Sequence, residues 1–435
     1  SNRTFKFPNW WVGSLDPMTN TPPPGRKVSQ SWAAFPRSPL RPRPTMPSVW
    51  VRFWCALGLL PGTAGSLAAA PVKVWYSPHF VDVATKAAPP DLFPLLNVPR
   101  TAWPKLAARS SAFKLKMQPL LGNNTQDADL AGLAAVIRSR GLRTGLEIGG
   151  ARWIGTRCNA ASQLQYAQQE QKTVSRWLGL GGHIDSITTD HALTWDIRHE
   201  LRAPPCEPPV PMAARIEAVA QVFGSWRNFL PNASLGFIES LGYWDITGPD
   251  GTNFTNTSPE QLNNISGWVP RLDLVTDMLL AAAAKHNPSP ELPLLDHYQI
   301  DYGMDGVEAD TLQYGAAPYG INYGRILGAE ALMAARGLQT GVILNANAAR
   351  SRTYAPTPGA GCLVGCDLEF TPSHSAVVRT LNVTRGYMAL KGRLSQHALL
   401  EQWQAYPNRT GPETELDTGM WMASAAAAIL NPAAL

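Results

Sequence analysis

Eight short apolar runs recur along the chain, and most of them end in acidic, amide or aromatic residues before a helix-like stretch begins. The segments that lead into a run are short, whereas several of the segments that leave one are long. This order predicts a single (β/α)8 barrel domain, an α/β fold of the TIM type whose chemistry lies on its long βα loops. The predicted strands are Val72–Ser77, Phe113–Leu120, Arg143–Gly149, His183–Asp190, Ser234–Ser240, Leu295–Tyr302, Thr340–Asn347 and His397–Trp403.

The stretches between the runs carry apolar residues at helical spacing. In Asp127–Arg140, for example, residues 130, 133, 134 and 137 share one face. An open, doubly wound sheet is the alternative α/β fold, but no Gly-x-Gly-x-x-Gly motif follows the first strand. The barrel is therefore favoured, over residues 71–435. The other predicted helices are Gln163–Leu178, Ala213–Phe229, a segment from Ser258 to His286, Tyr323–Arg336, Ser373–Leu390 and Met420–Leu430.

The first 70 residues differ in composition from the rest. Residues 1–45 contain nine prolines and seven basic residues and show no apolar period, which is typical of a disordered or non-native upstream segment. Residues 46–70 combine Arg52, the apolar stretch Phe53 to Leu60 and small residues up to Ala70, which predicts a secretory signal peptide. A membrane anchor is the alternative, but the apolar run is far shorter than the roughly 20 residues that span a bilayer.

Removal of this leader changes the charge of the chain. The full sequence has a net charge of +5, but without residues 1–70 it has 29 basic and 31 acidic residues. No basic surface for nucleic acid remains, so nucleic acid is excluded as the expected partner. We expect no stable membrane insertion either, and no cofactor or metal, since the sequence has no H-E-x-x-H or H-x-H motif and no tight histidine cluster.

Cysteines and glycosylation motifs support an extracellular, secreted location. Four cysteines remain after the leader, and we expect two disulfides, Cys158 with Cys206 and Cys362 with Cys366. Zinc binding by the C-x3-C pair is the alternative, but no histidine lies near it. N-glycosylation motifs begin at Asn123, Asn232, Asn253, Asn256, Asn264, Asn382 and Asn408.

Polar residues at the ends of the predicted strands form the candidate site. A ring of carboxylates and amides is hard to explain by packing, because buried charges are costly unless they are paired or used. Two nearby carboxylates can cleave a glycosidic bond, and we expect Asp190 and Glu239, on adjacent strands, to be that catalytic pair. The alternative is a structural ion pair. Glu147 could bind substrate or form a lumen salt bridge to Lys116.

Aromatic residues at or just past several strand ends are suited to stacking on sugar rings. Any one of them could instead fill a loop core. The predicted substrate-binding residues are Trp75, His79, Gln118, Glu147, Trp153, His191, Trp195, Trp244, Asp301, Tyr302, Asn345, Asn347, Glu401 and Trp403.

The chain also resembles a largely uncharacterised group of secreted barrels similar to glycoside hydrolases. The resemblance implies acids at the positions of Asp190 and Glu239, and a further acid after Asp190, where this chain has His191. The segments that carry it are VWYSPH, SSAFKLKMQPLL, LEIGG, HIDSITTDHALTW, ARIEAVAQVFGSWRNFLPNASLGFIES, GVILNAN and ALLEQWQAYP.

Two functional hypotheses follow from these residues. The first is a secreted glycoside hydrolase that acts on a poly- or oligosaccharide. The second is a non-catalytic carbohydrate-binding or extracellular structural glycoprotein on the same scaffold. The geometry of the carboxylates at the barrel mouth discriminates between them.

Overall fold

The computed structural model describes residues 72–80, 91–121, 125–150, 160–193, 212–241, 244, 246–247, 253–254, 271–301, 323–344, 372–402, 407 and 409–432. All of these belong to one compact unit, Pro71–Leu435. The upstream segment 1–45, the predicted signal peptide 46–70 and the four cysteines of the predicted disulfides, Cys158, Cys206, Cys362 and Cys366, lie outside the described residues.

Eight parallel strands close into a barrel, which confirms the predicted fold class. They follow the chain order around the barrel, and β1 closes the sheet by pairing with both β2 and β10. A short antiparallel pair, β6 (Ile246–Thr247) and β7 (Asn253–Phe254), lies apart from the barrel sheet. The barrel strands are β1 (Lys73–Ser77), β2 (Ser110–Lys116), β3 (Arg143–Ile148), β4 (Ser186–Asp190), β5 (Ser234–Ser240), β8 (His297–Asp301), β9 (Gln339–Ile343) and β10 (His397–Glu401).

Helices connect the strands, as expected for parallel strands joined by crossovers. The predicted helices are confirmed to within three residues at the ends that the structure describes, except that the helix predicted to begin at Ser258 begins at Leu272. No described helix has the length and apolar character needed to cross a membrane. The helices are α1 (Leu92–Leu96), α2 (Pro99–Ala102), α3 (Pro104–Arg109), α4 (Met117–Leu120), α5 (Asp127–Ser139), α6 (Ala160–Gly179), α7 (Met212–Phe229), α8 (Leu272–His286), α9 (Tyr323–Ala334), α10 (Pro372–Ala389) and α11 (Gly419–Leu430).

The second strand is displaced from its predicted position. It begins at Ser110 and ends at Lys116. The residues predicted as the last part of the strand form the short helix α4 instead. Pro119 explains the early end, because proline has no backbone N–H to donate to a neighbouring strand. Gln118 therefore lies on a helix, and the prediction that it belongs to the second strand is wrong.

Apolar and aromatic side chains fill the lumen beneath the mouth. One buried cluster joins inward-facing positions of five strands. The indole ring of Trp75 stacks on the imidazole of His397, with 4.4 Å between ring centroids. The space for this ring comes from Gly341 on the neighbouring strand, where a Cβ atom would collide with Nε2 of His397. The cluster consists of Trp75, Ala112, Ile238, Ile343 and Leu399.

We predict that Gly341→Ala lowers the free energy of unfolding by about 1–3 kcal/mol, the range typical of overpacked cores. The His397 ring cannot move aside easily, because it is stacked on Trp75. Urea unfolding of the two proteins measures the difference. Gly179→Ala is the matched control, since an added Cβ there meets nothing within 4 Å, and its effect should stay within about 0.5 kcal/mol. Equal stabilities for Gly341→Ala and the parent would contradict this account of the lumen.

Candidate active site

The fourth strand directs Asp190 into the barrel mouth. Two residues that precede it at alternate positions, Ser186 and Thr188, face Nε2 of His297 in the lumen at 3.5 and 3.2 Å. Because side chains alternate between the two faces of a strand, Asp190 shares their lumen face. The chain then turns at His191, whose φ of 49° lies in the left-handed region that few non-glycine residues adopt. A hydrogen bond from its N–H to the carbonyl of Ile238, at 2.9 Å, holds this turn against β5.

The imidazole of His191 bridges two carboxylates. Its Nδ1 bonds to Oδ1 of Asp190, and its Nε2 lies 3.3 Å from Oδ2 of Asp301 at the end of β8. Burial lowers the pKa of His191, but the charges of Asp190 and Asp301 outweigh burial and raise the pKa to about 9. At neutral pH, the bridge is therefore an imidazolium between two acids.

Asp301 is the acid of this group that can hold a proton near neutral pH. Burial raises its pKa to about 7, and the neighbouring carboxylates add to this effect against the opposing charge of His191. Its Oδ1 atom is buried and has no hydrogen-bond partner. Within the described part of the chain, Asp301 thus combines a raised pKa with a buried oxygen atom that has no hydrogen-bond partner.

Two lysines of β2 occupy the opposite side of the mouth. Nζ of Lys114, which is 0% exposed, lies 2.7 Å from Oε2 of Glu147 and 3.7 Å from Oε2 of Glu401. Nζ of Lys116 lies 2.5 Å from Oε1 of Glu401. The lumen salt bridge that was one alternative for Glu147 is therefore formed with Lys114 and not with Lys116, although Lys116 is the residue in register with Glu147.

These charges set different proton affinities for the two glutamates. Burial raises the pKa of Glu147, in spite of the opposing charge of Lys114. Burial also acts to raise the pKa of Glu401, but Lys116 and Lys114 together outweigh it and leave that pKa below its ordinary value. The pKa of Lys116 is about 12, since the attraction of both glutamates exceeds the effect of burial. This side of the mouth is thus a network of fixed ion pairs.

Below the ion pairs, two neutral histidines form the floor. Burial lowers the pKa of His297 to about 3, and it also lowers the pKa of His397. Gln299 joins the floor to the mouth, because its Oε1 accepts a hydrogen bond from Lys114 at 3.3 Å and its Nε2 donates to His397 at 3.0 Å. Protonation of these histidines would place further positive charge beside a buried lysine.

Glu239 occupies a different place from the one that its position in the sequence suggests. On β5, the lumen face carries Ser234, whose Oγ contacts His297, and Gly236, where a Cβ would collide with that histidine. Glu239 has the opposite parity, so it lies on the outer face of the strand. It is completely buried, and its Oε1 accepts a hydrogen bond from the N–H of Leu193 at 2.7 Å. The expectation that Glu239 faces Asp190 across the lumen is therefore not met.

The predicted sugar-stacking aromatic residues divide into two groups. Trp75 lies in the lumen core, and Trp244 is also fully buried, so neither presents an open face to a ligand. His79 is buried just after β1, and Gln118 is half-buried on α4. The remaining predicted binding residues, Trp153, Trp195, Tyr302, Asn345, Asn347 and Trp403, lie outside the described residues.

Lys114 and His397 are the site residues that sequence reasoning missed. Lys114 precedes Lys116 by two positions, so the strand alternation places both lysines on the lumen face. His397 opens β10 and has the parity of Glu401. The alternation of side chains along a strand could therefore have identified both residues. The second strand was predicted to run from Phe113 to Leu120, however, so attention fell on Lys116 and Gln118 near its end and not on Lys114.

One group of side chains is close enough together to hold a metal ion. Among the described residues, ligand atoms of Asp190, His191 and Asp301 all lie within 4.8 Å of one another. Both ring nitrogens of His191 already face these carboxylates, however, so the arrangement is that of an ion-paired bridge. The sequence could not reveal this group, because Asp301 is far from the other two along the chain.

Comparisons with known proteins do not identify a family for this chain. No family model matches the chain, and no curated protein sequence does. Among solved structures, xylanase B from Clostridium stercorarium F9 is 10% identical, with a TM-score of 0.37 over 76% of this chain and 86% of that one. A β-glucosidase from Thermotoga maritima is 8% identical, with a TM-score of 0.37 over 76% and 88% of the two chains.

A third similar structure, a D-psicose 3-epimerase, is 13% identical, with a TM-score of 0.34 over 82% of this chain and 96% of that one. The three proteins are named for different reactions. At these TM-scores, the likeness carries no argument about what this chain does.

We predict that Glu239→Leu destabilises the protein by about 1–3 kcal/mol, the usual cost of leaving a buried donor without its acceptor. The N–H of Leu193 would lose its bond to the carboxylate. Glu239→Gln is the matched control, because its amide oxygen can still accept this hydrogen bond. Denaturant unfolding distinguishes the two variants. A Leu variant as stable as the Gln variant would show that the bond does not anchor the turn after β4.

Proposed function

We propose that this chain is a glycoside hydrolase-like enzyme that cleaves glycosidic bonds of a poly- or oligosaccharide at the mouth of the barrel. The observation that carries the proposal is a pair of carboxylates, Asp190 and Asp301, with oxygen atoms within 4.8 Å of each other. The pKa of Asp301 is raised to about 7, which suits a group that must donate a proton. This assignment replaces Glu239 with Asp301 as the partner of Asp190.

The two acids would take different roles because their environments differ. Asp301, protonated below about pH 7, would give its proton to the glycosidic oxygen as the bond to the anomeric carbon breaks. Asp190, bonded to the imidazolium of His191, would stay ionised and attack that carbon or activate water. Their closeness fits a retaining pair, whose carboxyl groups are about 5–5.5 Å apart, better than an inverting pair.

His191 would hold the carboxylates of Asp190 and Asp301 in fixed positions relative to each other. It contacts both carboxylates, and its charge acts to lower the pKa of Asp301 from a still higher value. The left-handed turn that presents the ring is held by the backbone of β5. The residue found where the resemblance implies a further acid thus contributes a positive charge in place of a negative one.

A non-catalytic carbohydrate-binding protein is the second candidate, and one observation favours it. Glu147, Asp190 and Glu401 each have a described cationic partner, which is the pattern of a structural network. Such a mouth could still hold sugar hydroxyl groups through the half-buried carboxylates of Glu147 and Asp190. Purified protein that binds an oligosaccharide in calorimetry, but releases no reducing ends from a panel of poly- and oligosaccharides, would establish this candidate in place of the first.

We also propose that the protein is secreted as a glycoprotein after removal of residues 46–70. Two of the predicted acceptor asparagines, Asn232 in the turn before β5 and Asn382 on α10, are exposed, which supports the proposal. Asn123, Asn256, Asn264 and Asn408 lie outside the described residues. Expression of the full chain in a eukaryotic host tests it, since retention of an unglycosylated product inside the cells would refute it.

We predict that Asp301→Asn lowers kcat on a cleaved substrate by about 10²- to 10⁴-fold, the usual contribution of a general acid. The substitution keeps the shape of the side chain and removes its proton. Asp277→Asn is the matched control, because this exposed aspartate pairs with Arg336 on the outer helices and its loss should leave kcat unchanged.

The ionisation of Asp301 also predicts how kcat depends on pH. A general acid works only when protonated, so kcat of the parent enzyme should fall as pH rises through about 7, where Asp301 ionises. Steady-state kinetics across pH 5–9, with initial rates at saturating substrate, measure this limb. If the Asp301→Asn variant kept the parental activity, the general acid would have to be another group of the mouth.

A further inference from the structure

Lys114 is a buried cation that the proposed mechanism does not use. It lies in the lumen below the mouth and is 0% exposed. Its ammonium group reaches three strands at once: Glu147 on β3 at 2.7 Å, Gln299 on β8 at 3.3 Å and Glu401 on β10 at 3.7 Å. The contacts with Glu147 and Gln299 are within hydrogen-bond distance, and the contact with Glu401 is a longer ion pair.

The groups around Lys114 show why a cation is needed at this depth. Two glutamates face it from either side of the lumen, and their negative charges raise its pKa against the opposing effect of burial. Lys116 on the same strand compensates Glu401 but stands nearer the mouth. The charges of Glu401 and Glu147 also act to raise the pKa of Asp301. The histidines of the floor, His297 and His397, stay neutral and supply no positive charge.

We propose that Lys114 is a positioning residue that keeps Glu147 and Glu401 ionised in fixed places across the lumen, so that Asp301 is left as the proton-carrying acid of the mouth. The last part rests on the proposed function, whereas the first part does not. The geometry carries the inference, since no other described cation contacts both glutamates.

Removal of the ammonium group has a defined consequence for the glutamates. Glu147 has Lys114 as its cationic partner, and a buried carboxylate without one takes up a proton. Glu401 keeps Lys116 at 2.5 Å and so stays closer to its present state. We therefore expect one additional proton in the folded protein, bound chiefly at Glu147.

The experiment compares Lys114→Met, the double variant Lys114→Met/Glu147→Gln and the parent by urea unfolding at several pH values between 5 and 8. No substrate is needed. Lys285→Met is the matched control, because that lysine pairs with Glu217 on the exposed surface. Burial already raises the folded-state pKa of Glu147 in the parent, and Lys114→Met removes the charge that opposes this effect. The folded-state pKa of Glu147 therefore rises further above its unfolded value, so the free energy of unfolding of Lys114→Met should fall more steeply than that of the parent as pH rises.

The extra slope should correspond to about one proton bound by the folded state, and the double variant should lose it, since its glutamine does not titrate. The double variant should also be more stable than Lys114→Met at pH 8, because both members of the pair are then neutral. Lys285→Met should keep the parental slope.

Two results would overturn the inference. One is a folded Lys114→Met with the parental pH dependence, and the other is a double variant that unfolds as readily as the single variant, including the case in which neither folds. The test is independent of turnover. A protein that shows the predicted slope but cleaves no glycoside would retain Lys114 as a charge-fixing residue and would refute the proposed hydrolase.

Discussion

The burial of like charges in the barrel lumen is the constraint on which the mouth depends. Among the described residues, four carboxylates rise from the ends of β3, β4, β8 and β10 into a space that excludes most water. Their mutual repulsion and loss of hydration would favour protonation of all of them. Lys114, Lys116 and His191 offset this cost through direct ion pairs.

The positive charges are distributed unevenly among the four carboxylates, and the pKa values of these acids differ as a result. Glu401 faces two lysines and has a lowered pKa, whereas Asp301 faces a single imidazolium at 3.3 Å and has a pKa of about 7. The proton affinities of these two acids are therefore well separated. Acid–base chemistry requires such separation, because one group must donate a proton while its neighbour remains charged.

Much of the fold could be predicted from the sequence, because strand and helix periods are local properties. Eight apolar runs, short turns before them and long loops after them were enough for the closed barrel. The end of β2 was misplaced because the apolar run continues through Met117 and Leu120, although Pro119 cannot join the sheet.

The site was less predictable, because it depends on parity and on contacts across the barrel. A difference of one position separates the lumen face of β5 from its outer face, and Glu239 lies on the outer one. The sequence indicated acids at the mouth, including Glu147, Asp190, Asp301 and Glu401, but their partners depend on distances across the lumen. The bridge from Asp190 through His191 to Asp301 joins residues that are far apart in the chain, so no local pattern encodes it.

A carboxyl ¹³C NMR titration of the purified protein tests the central claim most directly, since it observes each acid without a substrate. The account predicts one aspartate signal with a midpoint near pH 7 that disappears in Asp301→Asn. An Asp301 signal that titrates near the ordinary aspartate value of about 3.9 would contradict it, because Asp301 would then carry no proton near neutral pH.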